Sequence, residues 1–212
     1  MNVLLTLSRS IDSATERIGR TIYWLVLIAV LISAANATVR KIFNFSSNSF
    51  LEIQWYLFSL IFLFCAGYTL KNNEHVRIDI ISGRMSARAR AWIDVFGTLV
   101  FLLPMATLIM YLSWPVFVDA WTRNEVSTNA GGLTIWPARL MVPVGFLLLI
   151  VQAASELIKR VAFLKGLIPD PSEKHVVKTA EEELAEEILR ARGERALAEE
   201  IEGIAVGRVE KP

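Results

Sequence analysis

The chain has 212 residues, of which 54% are hydrophobic, and its mean hydropathy is +0.45. This composition excludes a disordered chain and argues against an ordinary soluble domain. The net charge of +1 conceals a division: residues 1–168 carry 15 basic and 9 acidic side chains, and residues 169–212 carry 7 and 12. A basic, apolar body followed by an acidic tail indicates a membrane protein with a soluble end.

The first twenty residues predict an amphipathic helix, which we expect to lie on the inner membrane surface and to run into the first span. Its apolar residues recur at steps of three and four, and they are Leu4, Leu7, Ile11, Ala14, Ile18 and Ile22. The alternative is a signal peptide that is cleaved near Ala37. The acidic residues Asp12 and Glu16, and the basic residues directly after that site, argue against cleavage.

Four apolar stretches are long enough to cross a bilayer as helices, since the hydrocarbon core needs about 20 residues. The predicted spans lie near residues 21–39, 51–70, 92–118 and 134–157. Soluble core helices rarely run so long without a charge. We therefore predict an all-α integral membrane protein with a four-span domain over residues 1–168 and a soluble, partly helical tail over residues 169–212.

The start of the second span carries the first candidate contact residues. Ser49 and Glu52 have the spacing of a capping box, in which each side chain binds the other's backbone N–H group. The alternative for Glu52 is a contact with a partner protein. Trp55 follows at the outer interface, where it is expected to act as a membrane anchor or as a partner contact.

Helix boundaries are predicted for the third and fourth spans as well. Ser86 is expected to cap the helix that continues into the third span. Trp136 and Pro137 suit the first turn of the fourth, and Trp136 is a further candidate for contact with a partner. Arg139 lies at the positive end of the same helix dipole, which disfavours a cation there. We therefore expect Arg139 to have an acidic or lipid phosphate partner.

The loop between the second and third spans, residues 71–90, is the most distinctive stretch of the sequence. His75 has no companion with metal-ligand spacing, so we expect it to fix the loop at the interface. Arg77 and Asp79 are two residues apart and would point the same way in an extended segment. They either bind a partner or lie among the lipid headgroups.

Basic residues predict the orientation in the membrane. Eleven lysines and arginines of residues 1–168 precede the first span, follow the fourth or lie in the 71–90 loop, whereas only four lie in the other two loops or at their edges. By the positive-inside rule, both termini are cytoplasmic.

The sequence offers no pattern that indicates catalysis, a cofactor or a metal. Its single cysteine, Cys65, excludes an internal disulfide, and both histidines lie outside the predicted spans. A proton- or ion-coupled carrier normally has charged residues near the middle of its spans. No charged residue lies near the middle of a predicted span here. We therefore expect no enzyme activity and no nucleic-acid partner, and a protein that acts through another membrane protein.

Several stretches, in this order, resemble the small membrane subunit (DctQ-like, small permease) of tripartite ATP-independent periplasmic (TRAP) transporters. They are Glu52 to Tyr68, His75 to Asp79, the Arg88 and Arg90 edge, Trp114, and Trp136 with the later run Pro143 to Phe146. The similarity covers roughly residues 10–165 and does not include the acidic tail.

The resemblance implies a multi-pass protein of the bacterial inner membrane. In such a transporter a periplasmic protein captures an organic acid, and a large permease carries it inward by sodium symport. The small subunit supports the permease and helps to form the docking surface. The partners implied are the large permease, the periplasmic binding protein and membrane lipid. The alternative is a standalone four-span scaffold or small carrier of an unrelated complex.

Overall fold

The computed structural model describes residues 2–44, 47–73 and 85–169. Its helices are α1 (Asn2–Phe43), α2 (Asn48–Asn72), α3 (Ala87–Gly97), α4 (Leu103–Thr122) and α5 (Trp136–Leu164), with a π-helical turn, Thr98–Leu102, between α3 and α4. The candidate residues His75, Arg77 and Asp79, and the acidic tail from residue 170 onwards, lie outside the described residues.

Four helical stretches are long and apolar enough to cross a membrane, namely α1, α2, the joined α3 and α4, and α5. This confirms the predicted all-α architecture with four candidate spans. Within the described ranges the buried hydrophobic residues are Ile22 and six alanines, whereas many large apolar side chains are exposed. Small residues between helices and large ones outside are typical of helices that face lipid.

The last helix, α5, is central because it packs against α1, α2, α3 and α4. Its contact with α2 is close at Gly145. A Cβ atom added there would lie 2.6 Å from the Cβ and 3.2 Å from the carbonyl oxygen of Leu63. Such a close approach of two backbones depends on the missing side chain, and it fixes the distance between α2 and α5.

The first helix is continuous over 42 residues, a length of about 63 Å, roughly twice the thickness of the hydrocarbon core. The predicted amphipathic segment is thus one helix with the first span. Its apolar stripe is mostly turned away from the other helices, since Leu4 and Leu7 are 45% and 52% exposed, while Ser8 is 1% exposed. The polar side of this segment therefore packs within the protein. Its location on the membrane surface stays a prediction.

Local sequence determines where the helices begin and end. Ser86 caps α3 as predicted, because its hydroxyl accepts a hydrogen bond from the N–H of Ala89 at 3.3 Å. Three asparagines with positive φ follow α1, α2 and α4, and they are Asn44 (51°), Asn73 (59°) and Asn124 (46°). Asparagine tolerates this left-handed conformation, which ends a helix. The predicted start of α5 at Trp136, with Pro137 in its first turn, is also confirmed.

The π-helical turn ends two residues before Pro104. The N–H of Leu103 bonds to the carbonyl of Thr98, five residues back. A proline ring in an α-helix clashes with the carbonyl four residues earlier, and the wider turn relieves that clash. The chain therefore continues from α3 into α4 without a break.

Candidate functional site

Polar side chains gather at the two ends of the bundle. We call the end that carries the α4–α5 loop, residues 123–135, the loop end. The opposite end, where α1 begins, is the N-terminal end. Each end holds a cluster of polar contacts between segments that are distant in sequence.

Glu52, near the start of α2, binds the α4–α5 loop. The residue is 4% exposed. Its carboxylate accepts hydrogen bonds from the N–H of Leu133 at 2.6 Å, from Nδ2 of Asn129 at 2.9 Å and from Oγ of Ser127. Hydrogen bonds to an ionised acceptor are about twice as strong as neutral ones. A single carboxylate on α2 thus holds the loop in place.

The predicted capping box of Ser49 and Glu52 is wrong. The N-cap of α2 is Ser47, which makes no side-chain cap bond. Ser49 lies inside the helix, and its hydroxyl donates to the carbonyl of Gly131. Both side chains bind partners 75 to 82 residues further along the chain. Glu52 is buried within its own chain, and a contact of Glu52 with a partner protein stays a prediction.

The α4–α5 loop is a small hairpin. Val126 and Thr134 form an antiparallel bridge. The N–H of Ser127 donates to the carbonyl of Leu133 at 2.9 Å, next to that bridge. The chain reverses at Gly131, where φ is +71°, a conformation that glycine adopts without strain. The loop therefore has a defined shape.

Two further side chains of α2 bind the loop backbone. Nδ2 of Asn48 donates to the carbonyl of Ala130 at 3.2 Å. The hydroxyl of Tyr56 donates to the carbonyl of Thr134 at 2.9 Å. The loop is thus attached to the first three turns of α2 at its tip and at its base.

Arg139 has an acidic partner within the chain. Its guanidinium forms a two-point contact with the carboxylate of Glu125, and the Nη2 to Oε1 distance is 2.8 Å. This pair supplies the compensating charge that the position of Arg139 at the start of α5 was expected to require. Whether Arg139 also contacts another subunit stays a prediction.

The candidate tryptophans differ in their surroundings. Trp136 packs edge-on against Trp121, with ring centroids 4.5 Å apart, and so joins the end of α4 to the start of α5. Trp55 is 64% exposed. An exposed tryptophan at the end of a span is available to lipid headgroups or to another protein.

At the N-terminal end, Gln152 of α5 is the centre of a second cluster and is completely buried. Its Oε1 accepts a hydrogen bond from the hydroxyl of Thr15 at 2.7 Å. Its Nε2 donates to Oδ1 of Asp12 at 2.9 Å and to Oε1 of Glu156 at 3.2 Å. The amide thus connects α1 and α5 through both of its polar atoms.

Charges and hydroxyl groups complete this cluster. Lys159 Nζ lies 3.0 Å from Oδ2 of Asp12 and also contacts Glu156. The hydroxyl of Ser155 donates to Oδ1 of Asp12 at 2.9 Å and lies 2.7 Å from the hydroxyl of Ser8. One lysine between two carboxylates satisfies charges that would be costly to bury alone.

Two further ion pairs lie near this end. Lys71 of α2 pairs with Glu16 of α1, and Arg160 of α5 lies 3.3 Å from Asp94 of α3. Together with the Gln152 cluster they connect α1 with α2, α1 with α5, and α3 with α5.

Sequence reasoning missed the Gln152 cluster, although a signal was present. Ser8, Asp12 and Thr15 recur at steps of four and three, and so do the polar residues of α5, which are Gln152, Ser155, Glu156 and Lys159. A polar stripe with helical spacing beside an apolar one indicates a packed polar face.

The contacts at both ends hold helices and a loop in position. Among residues 2–44, 47–73 and 85–169 no three His, Cys, Asp or Glu side chains are placed to share a metal ion. The expectation that the chain holds no cofactor stays a prediction.

The family model "Tripartite ATP-independent periplasmic transporters, DctQ component" matches residues 16–163, more than half of the chain. Comparison with curated proteins and with solved structures gives no match. The matched segment contains Glu52, the α4–α5 loop and the α5 half of the Gln152 cluster. It begins after Ser8, Asp12 and Thr15.

We predict that Glu52→Gln releases the α4–α5 loop. The substitution replaces one acceptor oxygen by an NH2 group, and loss of a buried hydrogen bond to a charged group costs about 1–3 kcal/mol. The Leu133 amide should then exchange its hydrogen about tenfold faster or more. Asp119→Asn, in an exposed ion pair with Arg123, is the control. Unchanged exchange at Leu133 in the Glu52 variant would contradict the assignment.

We also predict that Gln152→Leu lowers the temperature of thermal unfolding in detergent. The leucine fills a similar volume but leaves the Thr15 hydroxyl and the Asp12 carboxylate short of a partner, at a cost of about 1–3 kcal/mol. Ser10→Ala is the control, because that hydroxyl is exposed and bonds within its own helix. Equal unfolding temperatures for the two variants would show that the Gln152 cluster does not stabilise the fold.

Proposed function

Because the chain belongs to the DctQ family, we propose that it is the small, non-catalytic membrane subunit of a TRAP transporter for an organic acid. The observation that carries the proposal is the family match over residues 16–163, which confirms the resemblance found in the sequence. The chain is accordingly a multi-pass membrane component of a transport system. Sodium coupling and the substrate pathway are assigned to the large permease.

The contacts at the two ends support a role as a rigid support for the permease. Apolar helices gain little from association in lipid, so polar contacts and close packing must keep their arrangement fixed. The Gln152 cluster connects α1 with α5, and Glu52 connects α2 with the α4–α5 loop. A subunit fastened in this way offers its partner a constant surface.

The loop end is proposed to contribute to the docking surface for the periplasmic binding protein. Glu52 and its neighbours hold the α4–α5 loop so that Val126, which is 50% exposed, and Thr128 remain accessible. Trp55, Trp136 and Arg139 lie at the same end and remain candidates for contact with the partners. A preformed loop binds with a smaller loss of conformational entropy than a mobile one.

This proposal requires the loop end to face the periplasm and both termini to be cytoplasmic, as the distribution of basic residues predicts. In a Cys65→Ser background, Thr128→Cys should react with a membrane-impermeant maleimide on intact cells. Leu167→Cys, which is also exposed and lies after α5, should react only after the membrane is permeabilised. The reverse pattern would contradict the orientation.

The partnership is tested by co-purification and uptake. The chain should co-purify in mild detergent with a large permease, and its deletion should abolish uptake of the organic acid. A plasmid copy of the chain should restore uptake, which controls for effects on neighbouring genes. Full sodium-driven uptake by the permease without this chain would overturn the proposed function.

A further inference from the structure

A groove runs between α1 and α2 towards the loop end. It consists of two adjoining cavities of about 550 and 480 Å³, which share Ser33 and Ala37. Val26, Ala29, Val30 and Ala37 of α1 line it on one side, and Gln54, Phe58 and Ile61 of α2 line it on the other. From Val26 to Arg40 it extends about 21 Å along α1, or about two thirds of the hydrocarbon core.

Two amide side chains lie in this groove without full hydrogen bonding. Ser33 donates to Oε1 of Gln54 at 3.4 Å. The NH2 group of Gln54 and the whole amide of Asn36 have no hydrogen-bond partner in the part of the chain that the structure describes. The hydroxyl of nearby Thr38, by contrast, donates to the Ala34 carbonyl of its own helix at 2.8 Å.

Two basic residues without an ion-pair partner in the described part of the chain line the same groove. Four lysines and arginines lie at the loop end, and two of them are paired, Arg123 with Asp119 and Arg139 with Glu125. The other two, Arg40 and Lys41, line the outer mouth of the groove. Neither has an ion-pair partner among residues 2–44, 47–73 and 85–169.

These features favour a protein helix over lipid as the occupant of the groove. Acyl chains provide no hydrogen-bond acceptor for Asn36 and Gln54, whereas polar side chains of a neighbouring helix do. The small residues Ser33 and Ala37 are exposed and allow the backbone of another helix to come close. An acidic side chain on that helix would complement Arg40 and Lys41.

We infer that the α1–α2 groove binds a membrane-spanning helix of the large permease. That helix carries a hydrogen-bonding side chain at the level of Asn36 and Gln54, and an acidic residue near Arg40 and Lys41. The inference rests on the proposed function and adds the face through which the two subunits meet.

Photo-crosslinking in membranes that contain the full transporter tests this contact. Benzoylphenylalanine is placed at Val30 in the groove or, as a matched control, at Leu112 on α4, since both side chains are 58% exposed. Irradiation should join the Val30 variant to the large permease, identified by mass spectrometry, with a yield several times that at Leu112. The inference would be overturned by equal yields at Val30 and Leu112. It would also be overturned if Val30 crosslinked only to a second copy of this chain or only to lipid.

Paired substitutions give an independent measurement. Asn36→Leu should reduce the amount of permease that co-purifies by about threefold or more, the scale of one hydrogen bond between membrane helices. Thr38→Val should leave it unchanged, because that hydroxyl is satisfied within α1. An Asn36 variant that retains all of the permease would contradict the inference.

The outcomes separate the two proposals. If the permease co-purifies with the unaltered chain but does not crosslink at Val30, the proposed function stands and the groove is not the contact face. If no permease co-purifies with the unaltered chain, both proposals fail.

Discussion

The arrangement of this chain depends on polar contacts between helices, because lipid removes most of the advantage of burying apolar side chains. Ile22 and six alanines are the buried hydrophobic residues of the described ranges. What fixes the neighbours of the central helix is a glycine, Gly145, and a set of buried polar groups around Gln152. In a soluble protein, the free-energy cost of burying this many polar atoms would have to be offset by apolar burial. Here they provide the contacts that specify one arrangement of helices.

The same constraint explains why Glu52 and Arg139 both find partners within their own chain. A carboxylate or guanidinium near the end of a span is costly to leave in a partly dry setting without an opposite charge or several donors. Glu52 has three donors from the α4–α5 loop, and Arg139 has Glu125. Both groups therefore shape the loop end.

The sequence was sufficient to predict the four candidate spans, the Ser86 cap and the start of α5 at Trp136, because these depend on apolar length and on local backbone preferences. The capping box of Ser49 and Glu52 was predicted by the same local logic and is wrong. The loop that binds both residues follows 75 or more residues later, and local spacing carries no information about it. The Gln152 cluster was missed for a related reason. The polar residues of α1 and α5 were visible, but their pairing depends on how the helices pack.

The continuity of α1 has a mechanical consequence. Between Asn2 and Phe43 there is no proline, and Gly19 is the single glycine, so the helix has no obvious hinge. One part of it is held by Asp12 and Thr15 against α5, and the other part forms a wall of the groove near the loop end. A force applied to either part is therefore transmitted along the whole of α1. A tilt of α1 about its middle would displace its two ends in opposite directions.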